Sequence, residues 1–150
     1  MLTARITASG RAPVDVSHLM SARGDHGFLR ARALSDSTIL ITASGDVDAA
    51  SAATLHDGIE RHLAGRCQMV LDFSHLDFFG TAGFSVLKWV DERCHRTGID
   101  WVLVPGPEVA RLLRICDPDG TLTTAPNIVS AVAALSRLPH RTPQLRAVGR

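Results

Sequence analysis

The segment FFGTAGFSVLKW, residues 78–89, follows the apolar run QMVLDF and sets the Thr81 hydroxyl between two glycines, where a strand gives way to a helix. Three chemistries suit that placement. The hydroxyl can cap the helix, a contribution of about 1 kcal/mol. The glycines and the unpaired N–H groups of a helix start can cradle a nucleotide phosphate. A P-loop, however, needs a longer glycine-rich loop followed by Lys and Ser/Thr, and GTAGFS holds no lysine. Third, the hydroxyl can be displayed for another protein to modify. Composition and spacing leave the three open.

Other reactive side chains form weaker patterns. Asp72 and His75 flank the expected strand end and have the types for acid–base work, but no third group with a defined spacing completes a nucleophile, base and orienter. His56 with Glu60, and Asp91 with His95, stand four residues apart and read as solvated helix contacts rather than metal ligands. Cys67, Cys94 and Cys116 are odd in number and lie among apolar neighbours, as reduced core thiols do. No catalytic, metal or cofactor constellation emerges.

Positioning a site requires a core, and 150 residues of 45% apolar content suit one domain, which buries roughly 70% of the surface its unfolded chain exposes. The formal charge of +1 provides no global field to recruit nucleic acid or an acidic membrane. No apolar run approaches the ~20 residues that span a bilayer, and MLTARITASGRAPVDVSHLM lacks the apolar stretch of a secretory signal. A cytoplasmic protein is expected, with neither nucleic acid nor membrane as its partner.

Residues 1–27 show no periodicity and read as a flexible lead. Phe28 to Leu34 and Thr38 to Ala43 form an expected hairpin around Ser35, Asp36 and Ser37. The run VDAASAATLHDGIERHLAG spaces Leu55, Ile59, His62 and Leu63 as a helix that stops at Gly65. Residues 67–73 are apolar enough for a central strand covered on both faces. Thr81 to about Thr97 makes a second helix with Gly83, Val86, Leu87, Val90 and Cys94 inward, ended by Gly98. A strand at Asp100 to Val104 follows, then a helix with Pro107 in its first turn and Val109, Leu112, Leu113 and Cys116 on one face. DPDG at 117–120 breaks the chain before a short strand, Thr121 to Thr124, and Asn127 caps a helix to Leu138. Residues 139–150 form a basic tail. The order ββαβαβαβα implies an α/β domain, with a mostly parallel mixed sheet and an antiparallel N-terminal edge hairpin.

Within that order, Gly45-Asp46-Val47-Asp48 opens the first helix and Gly80-Thr81-Ala82-Gly83 the second. With VLDFSHLDFFGTAGFSVL at 70–87 and the proline-containing turn before 107–116, they make residues 28–138 similar to the STAS domain of sulfate transporters and anti-sigma factor antagonists. The family usually carries Asp-Ser-Ser/Ala-Gly at the second segment. Gly80 stands here in place of the Asp, and Thr81 in place of the commoner Ser. The resemblance implies a single STAS-like domain and a regulatory binding protein, without cofactor and without enzymatic activity. Its partner would be an anti-sigma factor that is also a Ser/Thr kinase. Phosphorylation at Thr81 would release that partner, and a phosphatase would restore binding. Asp46, Asp48, Gly80, Ala82 and Gly83 would share the partner surface with Thr81.

Helical spacing extends the expected docking face to Ser85, Lys88 and Trp89. Trp89 is expected either to pack on the 107–116 helix or, if exposed, to anchor the partner. A homodimer is compatible with this reading. The alternative is a non-switching STAS scaffold or a small-ligand or nucleotide sensor.

Overall fold

The Ser35 hydroxyl closes the first hairpin by accepting from the N–H groups of Ser37 (3.2 Å) and Thr38 (3.1 Å), a local bond that small hydroxyl residues supply in turns. On either side run β1 (Leu29–Ala33) and β2 (Thr38–Val47), paired antiparallel. The computed structural model describes residues 29–138. The expected lead (1–27), Phe28 and the basic tail (139–150) lie outside the described residues.

β2 runs four residues past the expected Ala43 and pairs in parallel with β3 (Gln68–Phe79), which pairs in parallel with β4 (Asp100–Val104). The sheet order is β1-β2-β3-β4. β3 also outruns its expected end at residue 73, and the reason is a change of phase. Thr42 faces Asp72 but Ser44 faces His75, and Gly45 faces Leu76 but Asp46 faces Phe78, so β3 holds one extra residue at each shift. Each such bulge moves the inward positions along by one. The inward set on β3 is therefore Met69, Leu71, Phe73, then Leu76, then Phe79. β2 keeps its two-residue alternation, and Gly45 takes φ 97° at the second shift, a conformation open to glycine.

Four helices complete the domain: α1 (Ala52–Leu63), α2 (Thr81–Thr97), α3 (Gly106–Cys116) and α4 (Ile128–Ser136). α1, α2 and α3 send Leu55, Ile59, Leu63, Val86, Leu87, Val90, Cys94 and Val109 into one apolar cluster with the inward residues of β1, β2, β3 and β4. The α2 stripe read from the sequence is the buried set observed. α4 covers the other sheet face, where Ala131 and Leu135 meet Leu40, Val70, Val102 and Val104. The Gln68 side chain ties that helix down by donating to the Leu135 carbonyl at 3.0 Å.

The expected strand Thr121 to Thr124 is not formed. That stretch touches β4 through an isolated bridge from Thr124 to Leu103. Asp117 explains the change, because its carboxylate takes the N–H groups of Thr121 (3.0 Å) and Leu122 (3.1 Å) and the Thr121 hydroxyl (2.7 Å), leaving those donors unavailable to a ladder. The order among the described residues is ββαβαβαα, with four strands. No helix among them is long and apolar enough to cross a membrane.

Candidate functional site at the start of α2

Parallel pairing brings the two glycine-led segments together. Asp46 lies opposite Phe78 and Val47 opposite Phe79, and the Gly80 N–H donates to the Val47 carbonyl at 2.9 Å. The chain leaves β2 toward α1 and β3 toward α2 at one end of the sheet, the end where open α/β sheets gather functional groups.

The two helices begin differently. Before α1, the Asp48 carboxylate accepts from the N–H groups of Ala50 (2.9 Å) and Ser51 (3.0 Å). The Ser51 oxygen accepts from the Asp48 N–H at 3.0 Å, and its proton is shared between the Asp46 carbonyl (3.0 Å) and the Asp48 carboxylate (3.1 Å). Ser51 is 1% exposed. α1 therefore starts at Ala52, later than the sequence pattern suggests, after a turn locked by its own side chains.

α2 has no such lock. Gly80 is its N-cap, in an extended conformation with no side chain to offer, and Thr81 is the first helical residue. From that position the hydroxyl is past the place from which a cap reaches the second and third N–H groups, so the expected capping by Thr81 does not occur. Thr81 is exposed, and among the described residues its hydroxyl has no hydrogen-bond partner. Its carbonyl accepts a long bond, 3.4 Å, from the Ser85 hydroxyl.

The flanking glycines have separate reasons. A Cβ on Gly83 would stand 2.4 Å from the ring of Phe79, which is itself buried, so only glycine lets α2 sit on that ring. A Cβ on Gly80 would meet the Phe78 ring at 3.2 Å, and Phe78 is 48% exposed and able to shift. The backbone at Gly80, φ −98° and ψ −175°, admits any residue.

Of the other expected contact residues, Asp46, Asp48, Ser85 and Lys88 are exposed, Gly80 and Ala82 are half-buried and Gly83 is buried. Gly83 is thus a packing residue rather than a docking contact. Trp89 is half-buried and packs against the same apolar cluster as Leu112 and Leu113 of α3, and its ring also meets His56 on α1, with centroids 3.8 Å apart. At the end of α3, desolvation raises the Asp117 carboxyl, but the bonds from Thr121 and Leu122, with a smaller contribution from the Lys88 ammonium on α2, together outweigh it and hold the group below its usual range.

The helix pairs suggested by four-residue spacing give way to other partners, most of them on another element. His56 bonds Asp57 at 3.2 Å, while Glu60 receives two bonds from Arg93 on α2, at 3.1 and 2.9 Å. The Arg93 bond holds the Glu60 carboxyl below its ordinary value. Asp91 accepts from the Trp101 indole at 3.1 Å instead of meeting His95. Asp72 is buried and accepts from the Ser74 N–H (3.0 Å) and hydroxyl (2.6 Å), with His75 at 3.8 Å, so this pair fastens the first bulge of β3. All three cysteines are free, and burial pushes the Cys94 thiol up to about 12. Among the described residues no cluster of His, Cys, Asp and Glu could hold a metal ion.

Sequence reasoning missed Ser51 and Phe78. An Asp followed three residues later by Ser was a local cue for the first. The outward turn of Phe78 depends on the bulges and has no periodic signal.

The sequence model of the STAS domain matches residues 32–131. Osmosensory protein A of Mycobacterium tuberculosis is 36% identical over 94 residues, 62% of this chain, and the chain spans 60% of that relative's length. Anti-sigma-F factor antagonist RsfA of the same species is 31% identical over 132 residues, covering 85% of this chain and 97% of that protein. Among solved structures, an anti-sigma factor antagonist from Mycobacterium paratuberculosis superposes with a TM-score of 0.63 at 23% identity, over 72% of this chain and 92% of its own. The anti-sigma factor antagonist SpoIIAA in its unphosphorylated form gives 0.57 at 14% identity, over 75% and 99%. These two share the fold. On the sequence match and the paired segments at the ends of β2 and β3, the chain belongs to the STAS domain family and, within it, to the anti-sigma factor antagonists.

Proposed function

We propose that this chain binds an anti-sigma factor that is also a Ser/Thr kinase, and that phosphorylation of Thr81 ends the binding until a phosphatase removes the group. Such a protein regulates sigma-factor-dependent transcription from the cytoplasm. The observation that carries the reading is the Thr81 hydroxyl, exposed and without a hydrogen-bond partner among the described residues at the first position of α2. A transferase can reach that oxygen without unfolding anything.

The energetics suit a switch. A phosphate adds about −1.5 to −2 charges. The positive end of α2 favours it locally by roughly 0.3–2 kcal/mol, so the isolated domain tolerates the group. Pressed into a protein interface with no cation prepared for it, the same group must shed water, which costs several kcal/mol for a buried ion. Each 1.4 kcal/mol is about tenfold in affinity.

The replacement of the family Asp by Gly80 favours a second reading, a STAS scaffold or small-ligand or nucleotide sensor that does not switch. One experiment separates them. Anti-sigma factors encoded in the same genome are purified and titrated against wild type and Thr81→Glu, and each is incubated with wild type and ATP before the modified residue is mapped by mass spectrometry. The switch predicts a bound partner, phosphate on Thr81 and loss of binding in Thr81→Glu. Equal binding of both proteins, or phosphate elsewhere, removes it.

A further inference from the structure

We propose that the Phe78 ring determines which partner reads the Thr81 site, as an apolar anchor seated in a pocket of the same anti-sigma factor; the inference rests on the function proposed above. Three independent features of the fold lead to it.

The ring faces water because of one residue. With unbroken alternation after Leu76, Phe78 would turn inward and Phe79 outward. The second bulge, which adds Asp77, reverses that, placing Phe79 in the core under Gly83 and Phe78 outside, opposite the exposed Asp46. Phe78 is 48% exposed. The other large apolar residues that reach solvent among the described ones, Ile115, Val129 and Leu138, belong to α3, to α4 and to the segment after it.

The ring also fills the space over Gly80. Two of its carbons lie 3.2 and 3.4 Å from the position a Cβ there would take. A side chain at 80, such as the acid usual in the family, crowds the ring, which must then give way by a few tenths of an ångström. The absence of a carboxylate and the presence of an aromatic face at this spot are therefore linked.

Finally, Phe78 is three residues from the open hydroxyl of Thr81, and the Gly80 N–H fixes the intervening backbone to Val47. A protein that covers the Thr81 oxygen also reaches the ring. Aromatic side chains, Phe among them, are enriched in the buried centres of protein interfaces, where an anchor in a well-packed pocket carries much of the contact energy. A partner matched to this chain needs an apolar pocket at that point, where a partner matched to an acid needs a donor. Unmatched anti-sigma factors are refused for that reason.

The test uses the purified anti-sigma factor that binds wild type, with affinity measured by calorimetry for Phe78→Ala, Phe78→Leu, Gly80→Asp and Phe78→Ala/Gly80→Asp, and melting temperature measured for each. Phe78→Ala should weaken binding about tenfold or more at an unchanged melting temperature, with Phe78→Leu recovering most of the loss. Gly80→Asp should weaken binding by displacing the ring, and should add less than about threefold once Phe78 is alanine, because the two act through one contact. Amide exchange on wild type should slow at residues 77–81 when the partner is bound, a readout that needs no variant. Wild-type affinity in Phe78→Ala, or unchanged exchange at 77–81, overturns the anchor even where Thr81→Glu abolishes binding. Loss in Phe78→Ala with normal binding in Thr81→Glu keeps the anchor and removes the switch. Failure of wild type to bind any of the purified anti-sigma factors overturns both.

Discussion

The starts of α1 and α2 lie at the same end of the sheet and are built to opposite plans. At the first, Asp48 and Ser51 satisfy one another and the local backbone through a closed set of bonds, with the Ser51 hydroxyl out of reach of solvent. At the second, a glycine caps without a side chain, and the threonine that follows leaves its oxygen free. Identical chemistry, a hydroxyl beside a helix, thus serves stability in one place and stands available in the other. What separates them is a position: Ser51 precedes its helix and can fold back, whereas Thr81 is already inside its own.

That contrast is sharpened most by Thr81→Glu, which should reduce anti-sigma factor binding at least about a hundredfold, some 2.7 kcal/mol, while leaving the circular dichroism spectrum and melting temperature near wild type. Next comes Gly83→Ala. The methyl group strikes the buried Phe79 ring, and overpacking of this kind costs typically 1–3 kcal/mol, here partly offset by the better helix propensity of Ala; a urea titration should show the lower midpoint. Ser51→Ala should cost about 1–2 kcal/mol in the same titration, since it leaves the Asp48 N–H short of an acceptor and the Asp46 carbonyl short of a donor.

The bond that joins the two helices is predicted to matter less, because Glu60 is partly exposed. Its carboxyl is held low by Arg93, so the stabilisation is present above the unfolded value near 4.5 and is lost as pH falls through the lower folded value. Glu60→Gln should flatten the acid side of a stability-versus-pH curve by about 1 kcal/mol or less. Smallest of all is Thr81→Ala, expected within about 0.5 kcal/mol of wild type. A loss near that of Ser51→Ala would mean that the hydroxyl caps α2 after all and would end the contrast.

Local pattern revealed most of this architecture where one element explains itself. The α2 stripe from Gly83 to Cys94, the Asn127 cap, whose side chain accepts from the Ser130 N–H at 2.8 Å, and the hairpin at Ser35 all follow from period and turn chemistry. Features set by two elements at once were not legible. SHLD after Phe73 reads as a loop because two bulges interrupt the alternation, and those bulges answer to the register of β2. Thr121 to Thr124 has strand-forming residues but loses its donors to Asp117. Spacing on one helix suggested His56–Glu60 and Asp91–His95, while the actual partners, Asp57 and Arg93 for the first pair and Trp101 for Asp91, are a neighbour and two residues across the fold. At the site, the motif located Thr81, but its first-turn position and the ring over Gly80 required coordinates.

The cysteines carry a practical consequence. Cys67 and Cys94 are buried, and burial pushes the Cys94 thiol up to about 12, whereas Cys116 closes α3 partly open to solvent. Since thiolate character and access govern reaction with maleimides, native protein should take one dye, at Cys116, with no engineered substitution. Fluorescence anisotropy of that single label then follows the association of partners in real time.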